Sequence, residues 1–166
     1  ALACREAIVK FHGQAAHAAA DPFNGINALD AMILFYNGIG ALRQHVKSDA
    51  RIHGVITDGG HVANVIPDYT AASFMIRAGN LTYMNELVEK VKKIAEGAAM
   101  MTGARLEWIH PSPANSDMVV NYPLAEAMKV HLDALGLTMP EAVAEEGQGS
   151  TDWGNVSYVV PSVETS

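Results

Sequence analysis

Cysteine is almost absent from this sequence, in which Cys4 is the only one among 166 residues. A single cysteine excludes an internal disulfide and suits a reducing compartment, so we expect a cytoplasmic protein with a buried, inert thiol. Basic residues are also scarce, with 11 lysines and arginines against 18 aspartates and glutamates, for a formal net charge of −7. Because no stretch concentrates basic residues into a phosphate-binding face, we expect no nucleic-acid partner.

Long apolar runs are missing as well. No run approaches the ~20 residues that span a bilayer, so no membrane partner is expected. Hydrophobic residues nevertheless make up 49% of the chain, enough for one ordinary domain or for a small domain with part of another. The chain begins at Ala1 without a methionine and stops directly after an apparent core strand, "VVPSVETS". These ends predict a fragment of a longer polypeptide.

The spacings typical of metal sites are a third absence. The seven histidines include no His-Glu-x-x-His arrangement, and the single cysteine excludes a Cys-x-x-Cys pair. His45, His53, His110 and His131 are interpreted as ordinary surface or core histidines. The sequence therefore predicts no complete metal site within this chain.

An alternation of strand and helix patterns is what the sequence does contain. Residues 4–11, 51–57, 69–78 and 105–109 are rich in β-forming side chains and predict strands. Apolar residues at helical spacing predict helices over about 24–45 and 81–101, the second capped by Asn80 and followed by Gly103. The order β-α-β-β-α-β over residues 4–110 predicts an α+β fold, a ferredoxin-like sandwich with two helices on a four-stranded antiparallel sheet.

The residues after 110 predict a different unit. Residues 110–117 carry two prolines and read as a linker. A helix over 122–135, with Pro123 in its first turn and Gly136 at its stop, precedes a glycine-rich loop that leads into a predicted strand. One helix and one strand cannot bury a core of their own. We therefore expect one domain over 1–110 and a partial second domain over 111–166.

Several polar residues sit where a site could form. His17 follows the first strand in "GQAAHAAADPFNG", where small neighbours allow close approach of a substrate or another chain. Asn64 lies in a loop of about ten residues, longer than a hairpin needs, and Arg77 ends the third strand, where a guanidinium can grip a carboxylate. The loop "GQGSTDWGN" can cradle an anion or line an active site. A purely structural role remains open for each of them.

Three stretches together resemble a known family: "GQAAHAAADPFNGINALDA", "GGHVANVIPDYTAASFMIRA" and "GSTDWGNVSYVVPS". They are similar to the zinc-dependent aminoacylase/carboxypeptidase family, in the branch of p-aminobenzoyl-glutamate hydrolases and related amidohydrolases and dipeptidases. Members of that family insert a ferredoxin-like lid, or dimerisation, domain into an α/β zinc-peptidase domain. The resemblance implies that residues 1–110 are the lid, that residues 111–166 are a fragment of the peptidase domain, and that two zinc ions are bound by ligands outside this chain.

The resemblance also implies a reaction and a role for particular residues. The complete enzyme would hydrolyse an amide next to a free carboxylate, in an acyl-amino acid, a dipeptide or p-aminobenzoyl-glutamate, and this chain alone would be inactive. His17 would reach across a homodimer to stabilise the oxyanion, and Arg77 would bind the substrate carboxylate. The other implied substrate contacts are Asn64, Gly149, Ser150 and Thr151.

The predicted topology gives an independent check on these roles. In a split βαβ sheet the first two strands run parallel and the third runs opposite. His17 and Asn64 should then share one end of the sheet, with Arg77 about eight residues, or roughly 25 Å, away at the other. We therefore expect two lids of a dimer, rather than one, to complete a site.

Two alternatives remain open. A free-standing ferredoxin-like module for dimerisation or small-molecule binding explains residues 1–110 but gives the residues after 117 no purpose. A family member that has lost catalysis and keeps only the dimer is also compatible with the sequence, because the metal ligands are out of view.

Overall fold

The computed structural model describes residues 1–137 and 149–164. The strands are β1 (Ala3–His12), β2 (Arg51–Asp58), β3 (Tyr69–Ala78) and β4 (Arg105–Ile109). The helices are α1 (Ala28–Arg43), α2 (Leu81–Thr102), α3 (Tyr122–Ala134) and α4 (Trp153–Ser157), and a 3-10 turn covers Pro22–Asn24. The order β1-α1-β2-β3-α2-β4 confirms the predicted ferredoxin-like sandwich. Of the described helices, none has both the length and the apolar character that a membrane crossing requires.

The four strands form one antiparallel sheet in the order β2-β3-β1-β4. β1 pairs with β3 from Ala3 opposite Ala78 to His12 opposite Tyr69. β2 pairs with the other side of β3, starting with Arg51 opposite Arg77. β1 and β2 therefore run in the same direction, and β2 lies at an edge of the sheet.

One face of this sheet carries the core. Alternate residues of β1 and β3, including Phe11 and Phe74, are buried beneath α1 and α2. The Phe35 ring of α1 packs edge-on against Phe74, with ring centroids 5.1 Å apart. The intervening residues of the same strands face away from the helices, so the opposite face is available to other parts of the molecule.

The ends of the two long helices are set by their flanking residues. The Asn80 side chain accepts a hydrogen bond from the Tyr83 N–H at 2.9 Å, and Gly103 ends α2 in the left-handed region with φ of 78°. Both predicted signals are confirmed. α1 begins four residues later than predicted because Pro22–Asn24 form a 3-10 turn and Ile26 pairs with Gln14.

The strand predicted at the end of the chain is wrong. Trp153–Ser157 form the short helix α4, and the described residues after it, to 164, contain no strand. A strand needs a neighbour to complete its backbone hydrogen bonds, and in the described part of the chain none lies beside this segment. α4 is held instead by Asn155, which accepts from the Ser116 N–H at 2.6 Å and donates to the Ala114 carbonyl at 3.0 Å.

Candidate functional site

The loop after β1 is closed tightly at its base. Gln14 and Ile26 exchange two backbone hydrogen bonds of 2.9 and 3.0 Å. Gly13 permits this approach, because a Cβ there would clash with the Ile26 carbonyl oxygen. These contacts fix the conformation of the loop at its base, and His17 lies exposed within the loop.

Backbone contacts fix the tautomer of His17. Its Nδ1 accepts hydrogen bonds from the N–H groups of Ala20, at 3.1 Å, and Ala19, at 3.3 Å. A ring nitrogen that accepts carries no proton, so the proton of the neutral ring is on Nε2. This leaves the Nε2–H free to donate to an acceptor outside the chain, such as a carbonyl oxygen or an oxyanion.

Asn64 lies directly beside His17. The ten-residue loop between β2 and β3 pairs with the His17 loop through a bridge of His17 with Val65. The Ala18 N–H donates to the Asn64 carbonyl at 3.0 Å, and the Ile66 N–H donates to the Ala16 carbonyl at 2.9 Å. These contacts join the two loops into one unit, with His17 and Asn64 at the same end of the sheet.

Arg77 lies at the other end. Its cross-strand partners are Cys4, near the start of β1, and Arg51, at the start of β2. The side chain is half-buried, and its Nε is buried without a hydrogen-bond partner among the described residues. A buried N–H without an acceptor is costly, and a carboxylate would satisfy it with two parallel hydrogen bonds.

The loop at Gly149 comes to the Arg77 end. The Leu2 N–H donates to the Gly149 carbonyl at 2.9 Å, two residues before the Cys4 that pairs with Arg77. The Ser150 Oγ is buried and, within the described ranges, has no partner. Thr151 accepts from the Trp153 N–H and lies 3.3 Å from a Glu164 carboxylate oxygen. The first two residues of the predicted loop, 147 and 148, lie outside the described residues.

The predicted residues thus form two separate groups. His17 and Asn64 occupy one end, whereas Arg77 and residues 149–151 occupy the other, about 26 Å away along β3 at strand rise. The described residues contain no group of three or more histidine, cysteine, aspartate or glutamate side chains that could hold a metal ion. The side chains described here therefore do not fit a metal, and no step through a metal is assigned to them.

Asp117 is a structural residue that the sequence did not reveal. Its Oδ1 accepts from the Leu81 N–H at 2.8 Å at the start of α2, and its Oδ2 accepts from the Tyr158 hydroxyl at 3.0 Å. This hydrogen bond is the main reason why the pKa of Tyr158 is raised. Asp117 thereby ties the residues after the sandwich to α2, although its surroundings read only as a linker.

Comparison with known proteins identifies relatives of this chain. Residues 5–100 match the M20 family described as "Peptidase dimerisation domain". The Xaa-Arg dipeptidase of Mus musculus is 35% identical over 164 residues, covering 98% of this chain and 38% of that protein. A p-aminobenzoyl-glutamate hydrolase polypeptide of Escherichia coli (strain K12) is 38% identical over 146 residues, covering 87% of this chain and 30% of that protein. The chain thus spans well under half the length of these relatives.

A solved structure supports the fold. The aminobenzoyl-glutamate utilization protein from Klebsiella pneumoniae superposes with a TM-score of 0.76 at 23% sequence identity. The match covers 93% of this chain and 39% of that one. Both the sandwich and the residues that follow it therefore have a counterpart in a larger protein.

Proposed function

The chain belongs to the M20 family of peptidase dimerisation domains, and we propose that it is part of a metal-dependent hydrolase that cleaves an amide bond next to a free carboxylate. Residues 1–110 form the lid, and residues 111–166 belong to the catalytic domain. Two zinc ions would be held by ligands outside this chain, and the chemistry they would supply is the activation of water. The substrate is of the acyl-amino acid, dipeptide or p-aminobenzoyl-glutamate type. A cytoplasmic location fits the buried free thiol of Cys4.

The observation that carries this proposal is the Nε of Arg77, which is buried without a partner among the described residues, at the end of the sheet where Gly149 bonds to Leu2. Arg77 binds the free carboxylate of the substrate through its guanidinium. The Ser150 hydroxyl, also buried and unpartnered among the described residues, donates to the same substrate from the neighbouring loop. A bound carboxylate would supply the acceptors that these groups lack.

His17 acts at the scissile bond of the partner subunit. Its Nε2–H donates to the carbonyl oxygen as negative charge develops there, and Asn64 contacts the same substrate. A donor that is already oriented before the reaction needs no reorganisation in the transition state. The support for this role is the tautomer that Ala19 and Ala20 impose.

A homodimer formed through β2 brings the His17 and Asn64 group of one subunit near the Arg77 group of the other. β2 is an edge strand whose side chains are mostly exposed, and Val55 is 60% exposed. On the adjacent helix α1, Ile33 is 47% exposed. Such an edge is a template for pairing with another strand. Antiparallel pairing of two β2 strands about a two-fold axis lays the end of one beside the start of the other, which brings His17 of the partner subunit toward Arg77.

The proposal is tested with the complete natural polypeptide supplied with zinc or manganese. Hydrolysis is measured over acyl-amino acids, dipeptides and p-aminobenzoyl-glutamate, with and without a chelator. Metal-dependent turnover that Arg77→Ala abolishes and Arg105→Ala retains supports the proposal, because Arg105 lies at the opposite end of the sheet. A folded, metal-loaded dimer without turnover would favour a binding module or a homologue that has lost catalysis.

A further inference from the structure

Two arginines face each other at the end of the sheet where Arg77 lies. Arg51 and Arg77 are cross-strand partners, and both project from the face that the helices leave open. Side chains directly opposite in an antiparallel pair have Cβ atoms about 5 Å apart, and like charges in this position are destabilising. Both of the described salt bridges involve Glu107, near the other end of the sheet. Within the described residues, no carboxylate neutralises this pair.

The hydrogen bonds of the two guanidinium groups leave donors free. Nη1 of Arg51 donates to the carbonyls of Ser48 and Ala50, which holds the group in place and leaves its Nε and Nη2 edge open. That edge is the one that grips a carboxylate side-on. The Nε of Arg77 is buried without an acceptor in the described ranges. Two directly paired residues therefore each keep a donor edge that no described residue occupies.

A neighbouring histidine lies within reach of the same positive charge. His53 lies two residues beyond Arg51 and faces the same side of β2. Its pKa is lowered by burial first, and then by the positive charges of Arg77 and Arg43. Arg43, which donates to the Ile52 carbonyl, thus joins Arg51 and Arg77 at this end of the sheet, although the chain carries a net charge of −7.

The acidic residues nearby pair with neither arginine. Glu6 shares the open face, but its carboxylate accepts from the Ser73 hydroxyl at 3.0 Å. Asp49 accepts from the Gly79 N–H at 2.9 Å through Oδ2, and its Oδ1 is buried with no partner among the described residues. Neither carboxylate lies within salt-bridge distance of Arg51 or Arg77, so a second anion from outside the chain would complete this arrangement.

We propose that Arg51 is a specificity-determining residue and that the residue released by the enzyme carries two carboxylates, as glutamate or aspartate does. This inference rests on the proposed function and narrows its substrate class. Arg77 takes the carboxylate next to the amide, and Arg51 takes the side-chain carboxylate. A released residue with a cationic side chain, such as arginine, is repelled by the same pair.

The test uses three substrates with one acyl group, joined to glutamate, to isosteric but neutral glutamine, or to arginine. With the complete metal-loaded polypeptide, kcat/KM for the glutamate compound should exceed that for the glutamine compound by at least about tenfold, as expected for a charge-assisted hydrogen bond. Arg51→Gln should reduce this ratio toward one, mainly through KM of the glutamate compound. The matched control Arg105→Gln should leave the ratio unchanged.

The inference is overturned if the wild-type protein does not distinguish glutamate from glutamine, prefers arginine, or loses both activities equally in Arg51→Gln. Unchanged turnover of the glutamine compound shows that the variant is folded. Calorimetric binding of the same three compounds to the chelator-treated protein separates this inference from the proposed function. Selective binding of the glutamate compound without turnover supports the role of Arg51 and contradicts the hydrolase, whereas equal binding of all three contradicts the role of Arg51.

Discussion

His17 and Arg77 lie at opposite ends of one four-stranded sheet. His17 lies in the loop just beyond the end of β1, whereas Arg77 pairs with Cys4 near the start of β1. About eight residues of strand, or roughly 26 Å, separate the two levels, which is further than the two side chains can bridge around one small ligand. If both residues act on one substrate, they come from different copies of the chain.

This separation predicts that two inactive variants restore each other. In a mixed dimer of His17→Ala with Arg77→Ala, one site receives an intact Arg77 from its own subunit and an intact His17 from its partner. The other site lacks both. Co-refolding equal amounts should therefore give about one quarter of wild-type turnover under random pairing, measured against each variant alone.

The matched control is a mixture of His17→Ala with Asn64→Ala. Both defects fall on the same loop unit, and in this arrangement every site of the mixed dimer contains one of them. This mixture should recover little. Equal recovery in both mixtures, or none in either despite verified subunit exchange, would contradict the shared site.

Two substitutions of His17 separate its local contacts from its chemistry. Asn retains an oxygen that can accept from the N–H groups of Ala19 and Ala20, but it loses the Nε2 donor. If that donor stabilises the oxyanion, both His17→Asn and His17→Ala should lower kcat by about 10²–10³-fold with little change in KM. His45→Ala, at an exposed histidine, is the control, and wild-type kcat in His17→Asn would rule out the proposed role.

Much of the fold could be predicted because its signals are local. Asn80 and Gly103 mark the ends of α2 through contacts with residues close in sequence, and strand alternation fixes the buried face. The positions of the candidate site residues then followed from the strand topology alone. It predicted His17 and Asn64 at one end of the sheet and Arg77 at the other.

The rest depended on contacts between distant residues. The hydrogen bond from Leu2 to Gly149 and the bonds of Asp117 to α2 and Tyr158 have no local pattern. The segment after Asn155 reads as a strand by its β-branched residues, but a strand forms only beside a partner, and the described chain supplies none there. The metal site that the resemblance implies has no counterpart in the described residues, which hold no group of three or more metal-ligating side chains.

Gly13 and Gly40 should respond to alanine in opposite ways. A Cβ at Gly13 would meet the Ile26 carbonyl oxygen, whereas a Cβ at Gly40 has nothing within 4 Å. Gly13→Ala should therefore displace the His17 loop and lower kcat. Gly40→Ala should raise stability by about 0.5–1 kcal/mol through helix propensity. Thermal unfolding and turnover of both variants test this, and full activity of Gly13→Ala would show that the loop tolerates the displacement.

A charge on the β2 edge should separate the dimer. Val55→Lys places an ammonium at a position that is 60% exposed in the single chain, so the subunit should still fold. Pairing of two β2 strands would bury the added charge, which is costly without a partner. Sedimentation velocity should show monomers, with turnover reduced in parallel. Met100→Lys, at another exposed position, should remain dimeric, and a dimeric Val55→Lys would move the interface elsewhere.

Glu107 should make stability depend on pH in a defined direction. Its carboxylate contacts His12 Nε2 at 2.7 Å and Lys10 Nζ at 3.1 Å, and these hydrogen bonds, that of His12 first, hold the pKa of Glu107 below its ordinary value of 4.5. A carboxyl group with a lowered pKa in the folded state stabilises it fully above the ordinary pKa. This contribution is lost as pH falls through the lowered one. Glu107→Gln should therefore have a lower urea midpoint than wild type at pH 7, and this difference in midpoint should disappear as the solution is acidified below pH 4.5.

The exposed Glu89→Gln is the control, and its urea midpoint should differ little from that of wild type at any pH. If the difference in urea midpoint between wild type and Glu107→Gln stays constant or widens on acidification, the contacts with His12 and Lys10 do not stabilise the charged carboxylate.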